Sequence, residues 1–214
     1  MFLQKFEFNF LSANGYLLWD ETREAAMIDA GMYFPDDFTQ LTSFVDSHKL
    51  CLKHLLCTHL HFDHTFGNAF MLRQYGLKAE AHEADLPWLT KVNKEQCEAW
   101  GIPCHDVWPM PGQWLRDGDT VSFGHTTLKV IHVPGHSEGG LAFYDEADRC
   151  LFTGDTLFKG SMGRTDLYGG DSQQIAVSLQ KLLTFPDDTK VYPGHGEATT
   201  IKLEKKYNPC LGNE

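Results

Sequence analysis

The stretch Thr58-His59-Leu60-His61-Phe62-Asp63-His64 places three histidines and a carboxylate within six positions. His59 and His61 are two residues apart, so in an extended segment both side chains point to the same side of the chain. Asp63 and His64 follow directly and can face the same point if the chain bends or begins a helix there. Imidazole and carboxylate groups are the usual protein ligands of zinc and non-haem iron. The stretch therefore predicts a metal site rather than a polar surface loop.

Further candidate ligands follow short apolar segments of the chain. Leu52 to Cys57 predicts a buried strand that ends at the histidine cluster, and α/β folds place their sites beyond such strand ends. Three later segments have the same construction, in which a glycine breaks a short apolar strand and a metal-type ligand comes next. These ligands are His136, Asp155 and His195. Glycine lets the backbone turn sharply and approach whatever the side chain holds.

The complete set of candidate ligands contains five histidines and two aspartates: His59, His61, His64, His136, His195, Asp63 and Asp155. A structural zinc site uses four ligands, so this set is too large for one. It suits two metals that share a bridging carboxylate. The expected cofactor is a pair of divalent ions. Zinc is the favoured metal, and iron or manganese are the alternatives.

The pattern of apolar residues predicts strands and helices in both halves of the chain. Strands are expected over 2–10, 16–20 and 25–29, with Ser12-Ala13-Asn14-Gly15 as a hairpin-type turn marked by its Asn-Gly pair. A helix is expected from Asp63 to Tyr75, ended by Gly76. Strands recur over 121–153, followed by helices over 172–185 and 199–207. The prediction is an α/β fold of two packed sheets with helices outside, in a single domain over 1–214. The tryptophans of segment 85–115 are expected to lie in the core, with a pocket wall as the alternative.

Composition and charge narrow the classes of function. The formal net charge of the 214 residues is −11, which opposes binding to nucleic acid. No apolar run is long enough to cross a membrane, and the N-terminus lacks the features of a signal peptide. Six cysteines are present without a C-x-x-C pair, so no disulfide framework is expected. The expected location is the cytoplasm.

Four motifs occur in a fixed order: T-H-x-H-x-D-H from Thr58, P-G-H-S at His136, G-D-T-L-F at Asp155 and P-G-H-G at His195. In this order they resemble the metallo-β-lactamase superfamily. The resemblance implies a four-layer αβ/βα sandwich with its site at one edge between the sheets. It also implies the metal assignment: His59, His61 and His136 for the first ion, Asp63, His64 and His195 for the second, and Asp155 bridging both.

Within that superfamily, Gly154–Phe158 and Glu204–Pro209 are similar to hydroxyacylglutathione hydrolases (glyoxalase II), of the short bacterial type that lacks the helical C-terminal domain. The resemblance implies hydrolysis, in which a hydroxide shared by two ions attacks the carbonyl of a small anionic thioester. Asp63 is the expected catalytic residue, because it would also orient the hydroxide. Arg164 and Tyr168 are candidate substrate contacts, although Arg164 is favoured as an ion pair with Asp166.

Two alternatives stay open within the same superfamily. A mononuclear iron persulfide dioxygenase would use His59, His136 and Asp155 and leave the second ligand set empty. A hydrolase of another ester or of a lactone would use all seven ligands. An RNA-processing nuclease is disfavoured by the acidic charge and by the absence of an inserted nucleic-acid domain. A non-catalytic binding module is disfavoured because every ligand position is intact. The sequence leaves the oligomeric state open.

Overall fold

The structure, a computed structural model, describes residues 1–104 and 107–211. The first of its two six-stranded sheets contains β1 Phe2–Phe8, β2 Ala13–Trp19, β3 Glu24–Ile28, β4 Cys51–Leu56, β5 Ala79–Ala81 and β6 Gln113–Trp114, in this order. The second contains β7 Thr120–Phe123, β8 Thr126–His132, β9 Leu141–Asp145, β10 Cys150–Gly154, β13 Lys190–Pro193 and β14 Thr199–Thr200, in the order β14-β13-β10-β9-β8-β7. β11 Leu157–Phe158 and β12 Ser161–Met162 form a separate pair.

The α-helices are α1 Pro35–His48, α2 Phe62–Thr65, α3 Asn68–Tyr75, α4 Asn93–Trp100, α5 Ser172–Leu182 and α6 Ile201–Tyr207. Short 3-10 helices cover Glu83–Asp85 and Pro209–Leu211, and a π-helix covers Trp88–Val92. Over the described ranges, no helix combines the length and the apolar composition that spanning a membrane requires.

Because the side chains of each strand alternate between the two faces of its sheet, each sheet packs against a helix layer on one face and against the other sheet on the other face, which gives four layers. Side chains of successive strand residues point to opposite faces of a sheet. In β2, Leu17 packs in the cluster that contains Leu41 of α1, whereas Leu18 packs in the cluster that contains Phe143 of the second sheet. In β9 the next residue, Tyr144, belongs to a third cluster together with the residues of α5. The order is therefore helix, sheet, sheet, helix, which confirms the predicted αβ/βα sandwich.

Parallel strands bring the loops of interest to one edge. β3, β4 and β5 are parallel to one another, as are β10 and β13. β8 runs in the same direction as β10, because both pair antiparallel with β9. Two backbone hydrogen bonds join the sheets at this edge: Leu141 N donates to Thr58 O at 2.6 Å, and Asn14 N donates to Gly194 O at 2.7 Å. The loops that leave the carboxyl ends of these strands therefore meet.

The hairpin turn predicted over Ser12-Ala13-Asn14-Gly15 is wrong for its last three residues, because β2 begins at Ala13 and contains both Asn14 and Gly15. The side chain of Asn14 is buried and donates to the carbonyl oxygens of Pro193 and Gly196. A Cβ at Gly15 would come within 2.4 Å of the Phe8 ring and 2.6 Å of a backbone oxygen. The pair therefore serves close packing and a tertiary hydrogen bond, and the chain reverses before it, between β1 and β2.

The single helix predicted from Asp63 to Tyr75 is also wrong, because α2 ends at Thr65 and α3 starts at Asn68. Between them, Gly67 N donates to Ala30 O at 2.8 Å. A Cβ on Gly67 would lie 2.3 Å from Met32 Cε, so this backbone is packed directly against the loop after β3. That tertiary contact outweighs the local preference for one helix. Smaller differences are that α5 ends at Leu182 and that Thr199–Thr200 is a strand before α6.

Asp20 links the two sheets and supports a stability prediction. Burial raises its pKa, but hydrogen bonds from Thr22, His125 and Thr126 outweigh this and lower the pKa to about 2. Asp20→Asn should lower the unfolding free energy at pH 7 by about 1–3 kcal/mol, because a buried acceptor of several hydrogen bonds is lost. A carboxyl group whose pKa is lower in the folded than in the unfolded protein stabilises the fold at pH values above its unfolded-state pKa. This stabilisation is lost as the pH falls toward the folded-state pKa. The difference in unfolding free energy between the native protein and Asp20→Asn should therefore narrow between pH 5 and pH 3.

Urea unfolding of the metal-free native protein and of metal-free Asp20→Asn, at pH 5 and at pH 3, measures how this difference changes. Glu21→Gln is the control, since Glu21 is an exposed side chain of the same turn, and we expect a change within about 0.5 kcal/mol. A difference for Asp20→Asn that stays constant down to pH 3 would contradict the assignment.

Candidate metal centre

The seven predicted ligands lie together at the edge where the parallel strands end. His59 follows β4, and His61, Asp63 and His64 lie on the loop and short helix α2 that come next. The other three ligands each follow a strand of the second sheet: His136 after β8, Asp155 after β10 and His195 after β13. Ligands from both sheets therefore converge between the layers, as the sequence predicted.

The first cluster consists of His59, His61 and His136, whose ring nitrogens lie within 4.8 Å of one another. His61 Nδ1 is 3.0 Å from His136 Nε2. His59 Nε2 is buried and has no hydrogen-bond partner among the described residues. All three residues are at most 5% exposed. Three buried imidazoles at these separations are a donor set for one ion.

The second cluster consists of Asp63, His64 and His195, whose ligand atoms again lie within 4.8 Å. Asp63 Oδ2 is 3.3 Å from His195 Nε2 and 3.6 Å from His64 Nε2. The Nε2 atoms of His64 and His195 are 3.2 Å apart. This cluster is buried at His64 and partly open at His195, so one side faces solvent.

Asp155 faces both clusters. Its Oδ2 is 3.6 Å from His136 Nε2 of the first cluster and 3.5 Å from His195 Nε2 of the second. Its Oδ1 is 3.5 Å from His64 Nε2 and is buried without a hydrogen bond from the described part of the chain. A carboxylate in this position can share its two oxygens between two ions, as the bridging role requires.

Hydrogen bonds on the far side of the imidazole rings fix their tautomers. His136 Nδ1 donates to Arg164 O at 2.8 Å and His195 Nδ1 donates to Leu11 O at 3.1 Å, because a carbonyl oxygen can only accept. His64 Nδ1 likewise donates to a carboxylate oxygen, Asp29 Oδ2, at 3.1 Å. In the neutral rings, Nε2 therefore carries a lone pair that points into the centre.

The directions of these lone pairs indicate whether the residues can hold metal ions. The Nε2 atoms of His64 and His195, 3.2 Å apart, would both present lone pairs to each other when the rings are neutral. Such an arrangement is unfavourable unless a cation or a proton lies between them. Carbonyl or carboxylate partners on the second ring nitrogen are what metal-bound histidines characteristically have. The donor set therefore fits two divalent ions.

Electrostatics inside the centre follow from burial and from the two carboxylates. Burial and the neighbouring imidazoles hold the pKa of His59 and of His61 well below the usual value, which keeps both rings in the neutral form that binds metal. Burial lowers the pKa of His64, but Asp63 and Asp155 outweigh it and raise the pKa to about 10. An ion that binds at His64 therefore replaces a proton.

A cavity of about 420 Å³ opens beside the clusters. Five of the ligands line it, and six of the other nine lining residues are apolar, among them Phe62 of α2, Trp100 of α4 and Met162 of β12. A mainly apolar cavity of this size with a few convergent polar groups is typical of a small-molecule site. The arrangement can therefore hold a small molecule against the metal ligands.

Of the two predicted substrate contacts, only Arg164 lines this cavity. Its guanidinium forms a two-pronged ion pair with Asp166, Nε to Oδ1 and Nη2 to Oδ2, both 2.7 Å. That hydrogen bond lowers the pKa of Asp166 to about 2. Tyr168 instead lines the adjoining cavity and packs edge-on against Trp88, with ring centroids 6.1 Å apart. The ion pair favoured from the sequence is thus present.

The tryptophans of segment 85–115 divide between core and pocket. Trp88 is buried, and its ring centroid lies 3.9 Å from that of His61, so it packs directly against a candidate ligand. Trp100 is half exposed and stacks edge-on with Phe62 at the cavity wall. Trp108 and Trp114 pack against the outer core of the first sheet. Both expected roles are therefore realised, by different residues.

The order of ligands and the fold agree with one family. The model of the Metallo-beta-lactamase superfamily matches residues 8–195. The chain belongs to the metallo-beta-lactamase superfamily. Its members share a metallo-hydrolase fold that binds divalent metals, and the histidine-rich clusters described above are the candidate metal site in this one.

Similar proteins within the superfamily span nearly the whole chain. Hydroxyacylglutathione hydrolase GloC of Haemophilus influenzae is 34% identical over 204 residues, which are 94% of this chain and 93% of the relative. The crystal structure of BLEG-1 B3 metallo-beta-lactamase has a TM-score of 0.90 at 30% identity, covering 99% of this chain and 100% of that one. TTHA1623, solved in a di-iron-bound form, has a TM-score of 0.85 at 35% identity, covering 98% and 99%.

Asp29 is a site residue that the sequence analysis missed. It accepts hydrogen bonds from Thr58 N at 2.7 Å and from Thr58 Oγ1 at 2.6 Å, and it also contacts His64. Thr58 Oγ1 in turn lies 3.0 Å from His59 Nδ1, so Asp29 orients one ligand of each cluster. The available signal was Met27-Ile28-Asp29-Ala30-Gly31, an apolar strand that ends directly at an acid, although the glycine here follows the acid whereas Gly154 precedes Asp155.

Asp85 is a second residue that the sequence analysis did not place at the site. Its buried carboxylate accepts from Leu60 N at 3.1 Å, Ser137 Oγ at 2.9 Å and Gly139 N at 2.6 Å. Burial raises its pKa to about 6, although these hydrogen bonds oppose the shift. Asp85 therefore ties the loop of the first ligands to the loop of His136. Nothing in the spacing of the sequence indicates this contact.

Proposed function

We propose that this chain is a metal-dependent hydrolase of thioesters that holds two divalent ions, with zinc as the favoured metal. The observation that carries the proposal is the convergence of seven ligand side chains from both sheets beside one mainly apolar cavity. A set limited to three ligands would suit a single ion, but here Asp63, His64 and His195 form a complete second group around the shared Asp155.

Divalent ions held by these residues would lower the pKa of a bound water to about 7 and polarise a carbonyl oxygen. The chain's part is to supply the charge balance. With neutral imidazoles, Asp63 and Asp155 reduce the charge of two divalent ions to about +2. Such a site would have a net positive charge and would favour the negative charge that develops during thioester hydrolysis.

Asp63 is the residue proposed to orient the attacking water. It lies in the cavity wall and its Oδ2 faces His195. Burial raises its pKa, but His64 and His195 outweigh this and hold the pKa well below its usual range, so the group is an ionised acceptor. A carboxylate in this state can accept a hydrogen bond from a water within reach and so fix the direction of that water.

The cavity walls support a substrate with an apolar part. Phe62, Trp100 and Met162 present apolar surface beside the ligands and would exclude water from the reacting carbonyl. The relative from Haemophilus influenzae, named a hydroxyacylglutathione hydrolase, supports the thioester as the bond that is cleaved. The size of the cavity favours a small molecule, and the net charge of −11 opposes nucleic acid as the substrate.

The test is turnover of a panel of substrates, with metal content measured on the same sample. The panel contains S-lactoylglutathione, thioesters of other thiols, a lactone and a β-lactam. We expect thioesters to be hydrolysed fastest, the rate to fall on chelation and to return with zinc. One iron per chain, together with O₂ consumption on glutathione persulfide and no thioester turnover, would overturn the proposal in favour of the dioxygenase.

A further inference from the structure

The charge of the cavity wall is set by one pair of side chains. Outside the ligand set, Arg164 is the only cationic residue among the described residues that line the cavity. Both oxygens of Asp166 bind its guanidinium at 2.7 Å. This two-pronged pair occupies the Nε–Nη2 edge of the guanidinium, one of the two edges that can bind a carboxylate, and it balances the charge of the arginine. The cavity therefore presents a neutralised arginine rather than a free cation.

The adjoining cavity offers no substitute for Arg164. It shares Gln96 with the first, and Lys91 is the only cationic residue that lines it in the described part of the chain. Lys91 has its own carboxylate partner, Glu95, one helical turn away at 3.9 Å. Next to the cavity, Lys159 follows Phe158 and pairs with Glu197. Apart from the metal site, the lysine and the arginine that line the two cavities in the described part of the chain, and Lys159 beside them, thus already have acidic partners.

A carboxylate from solution must compete with Asp166 for the guanidinium of Arg164. The two partners are two residues apart on the same loop, so the local concentration of Asp166 around Arg164 far exceeds that of a dissolved substrate. Asp166 also stays negative at the rim and repels a second carboxylate. Apolar surface from Leu11, Phe158 and Leu167 remains available for an uncharged group.

We propose that Asp166 is a specificity-determining residue: by occupying Arg164 it makes the cavity select thioesters whose thiol part is uncharged and apolar over those whose thiol carries carboxylates. This inference rests on the proposed thioester hydrolysis. It assigns to the Arg164–Asp166 pair a role in choosing the leaving group, beyond fixing the loop after Asp155.

The experiment compares two lactate thioesters that share the acyl group, one of benzyl mercaptan and one of glutathione. The readout is the ratio of their kcat/KM values for the metal-loaded enzyme. The native protein should favour the benzyl thioester by about tenfold or more. Asp166→Asn should shift the ratio toward the glutathione thioester by about tenfold, because the guanidinium is released. The shift should shrink as salt is added.

Two further variants separate this role from a structural one. Asp166→Asn combined with Arg164→Gln should lose the shift, because no cation is left to release. Asp188→Asn is the matched control, since Asp188 pairs with Arg149 at the opposite end of β10 and should leave the ratio unchanged. A native preference for the glutathione thioester, or an unchanged ratio in Asp166→Asn, overturns the inference and leaves the hydrolase proposal standing. If neither thioester is hydrolysed, the hydrolase proposal itself fails.

Discussion

Asp155→Ala is expected to lower kcat/KM for thioester hydrolysis by about a thousandfold or more and to leave fewer than two ions bound. The reason is geometric. Asp155 is the one ligand that faces both clusters, with Oδ2 3.6 Å from His136 Nε2 and Oδ1 3.5 Å from His64 Nε2. Alanine removes the shared oxygens and also one of the two negative charges that balance the ions. Metal analysis and steady-state kinetics on the same preparation measure both effects.

Two other variants are compared with Asp155→Ala: one removes a different ligand, and the other is a control. His61→Ala removes a ligand of the first cluster alone and should also abolish hydrolysis, while the second cluster keeps Asp63, His64 and His195. Asp188→Ala changes an exposed aspartate remote from the ligands and should retain both metal and activity. Full activity in Asp155→Ala or in His61→Ala would contradict the assignment of the site.

Gly194→Ala should remove most of the metal and lower hydrolysis by about a hundredfold or more, although the substituted residue is not itself a ligand. A Cβ at this position would lie 2.1 Å from Asp155 Oδ1 and 2.9 Å from His64 Cε1. The backbone cannot retreat, because Gly194 N donates to Gly154 O at 2.8 Å and Gly194 O accepts from Asn14 N at 2.7 Å. The two ligands must move instead.

Gly196→Ala is the matched control two residues away. There a Cβ would meet nothing within 4 Å, but the backbone has φ +76°, so alanine adds strain of about 1–2 kcal/mol without touching a ligand. Thermal unfolding of the metal-free variants should therefore show a loss of stability in both, while only Gly194→Ala loses metal. Retention of two ions and of activity by Gly194→Ala would show that the ligands are less confined than the geometry indicates.

Residue type and spacing were enough to predict that the seven candidate ligands lie close together, because the chain repeats one construction. At His136, Asp155 and His195 an apolar strand ends, a glycine turns the backbone and a ligand follows. Parallel strands end at the same edge of a sheet, so ligands after successive strands meet without any long-range information. The αβ/βα layers follow from the same alternating pattern together with the resemblance to the superfamily.

The parts that sequence analysis misplaced depend on contacts between segments far apart in the chain. Asn14-Gly15 has the composition of a turn, yet Asn14 is bound by the loop after β13 and Gly15 by packing against Phe8. Gly67 divides a helix because its backbone meets Ala30. Local propensity carries no information about such neighbours, so tertiary contacts override it.

Substrate contacts were the least predictable part of the site. Arg164 and Tyr168 lie on the same loop, but the structure brings only Arg164 to the cavity beside the ligands. The cavity walls come from α2, α4 and β12 together, and no motif in the sequence links Phe62, Trp100 and Met162. The grouping of the candidate ligands could be predicted, whereas the shape of the pocket beside them depends on packing among distant elements.

The most direct test of the central claim is a titration of the metal-free protein with zinc. Bound zinc and the rate of thioester hydrolysis are measured on the same samples. Seven ligands in two clusters around Asp155 predict that the rate reaches its maximum when two ions are bound per chain, and that it is negligible without metal. Full activity with a single ion bound, or a rate that does not depend on metal, would contradict the account.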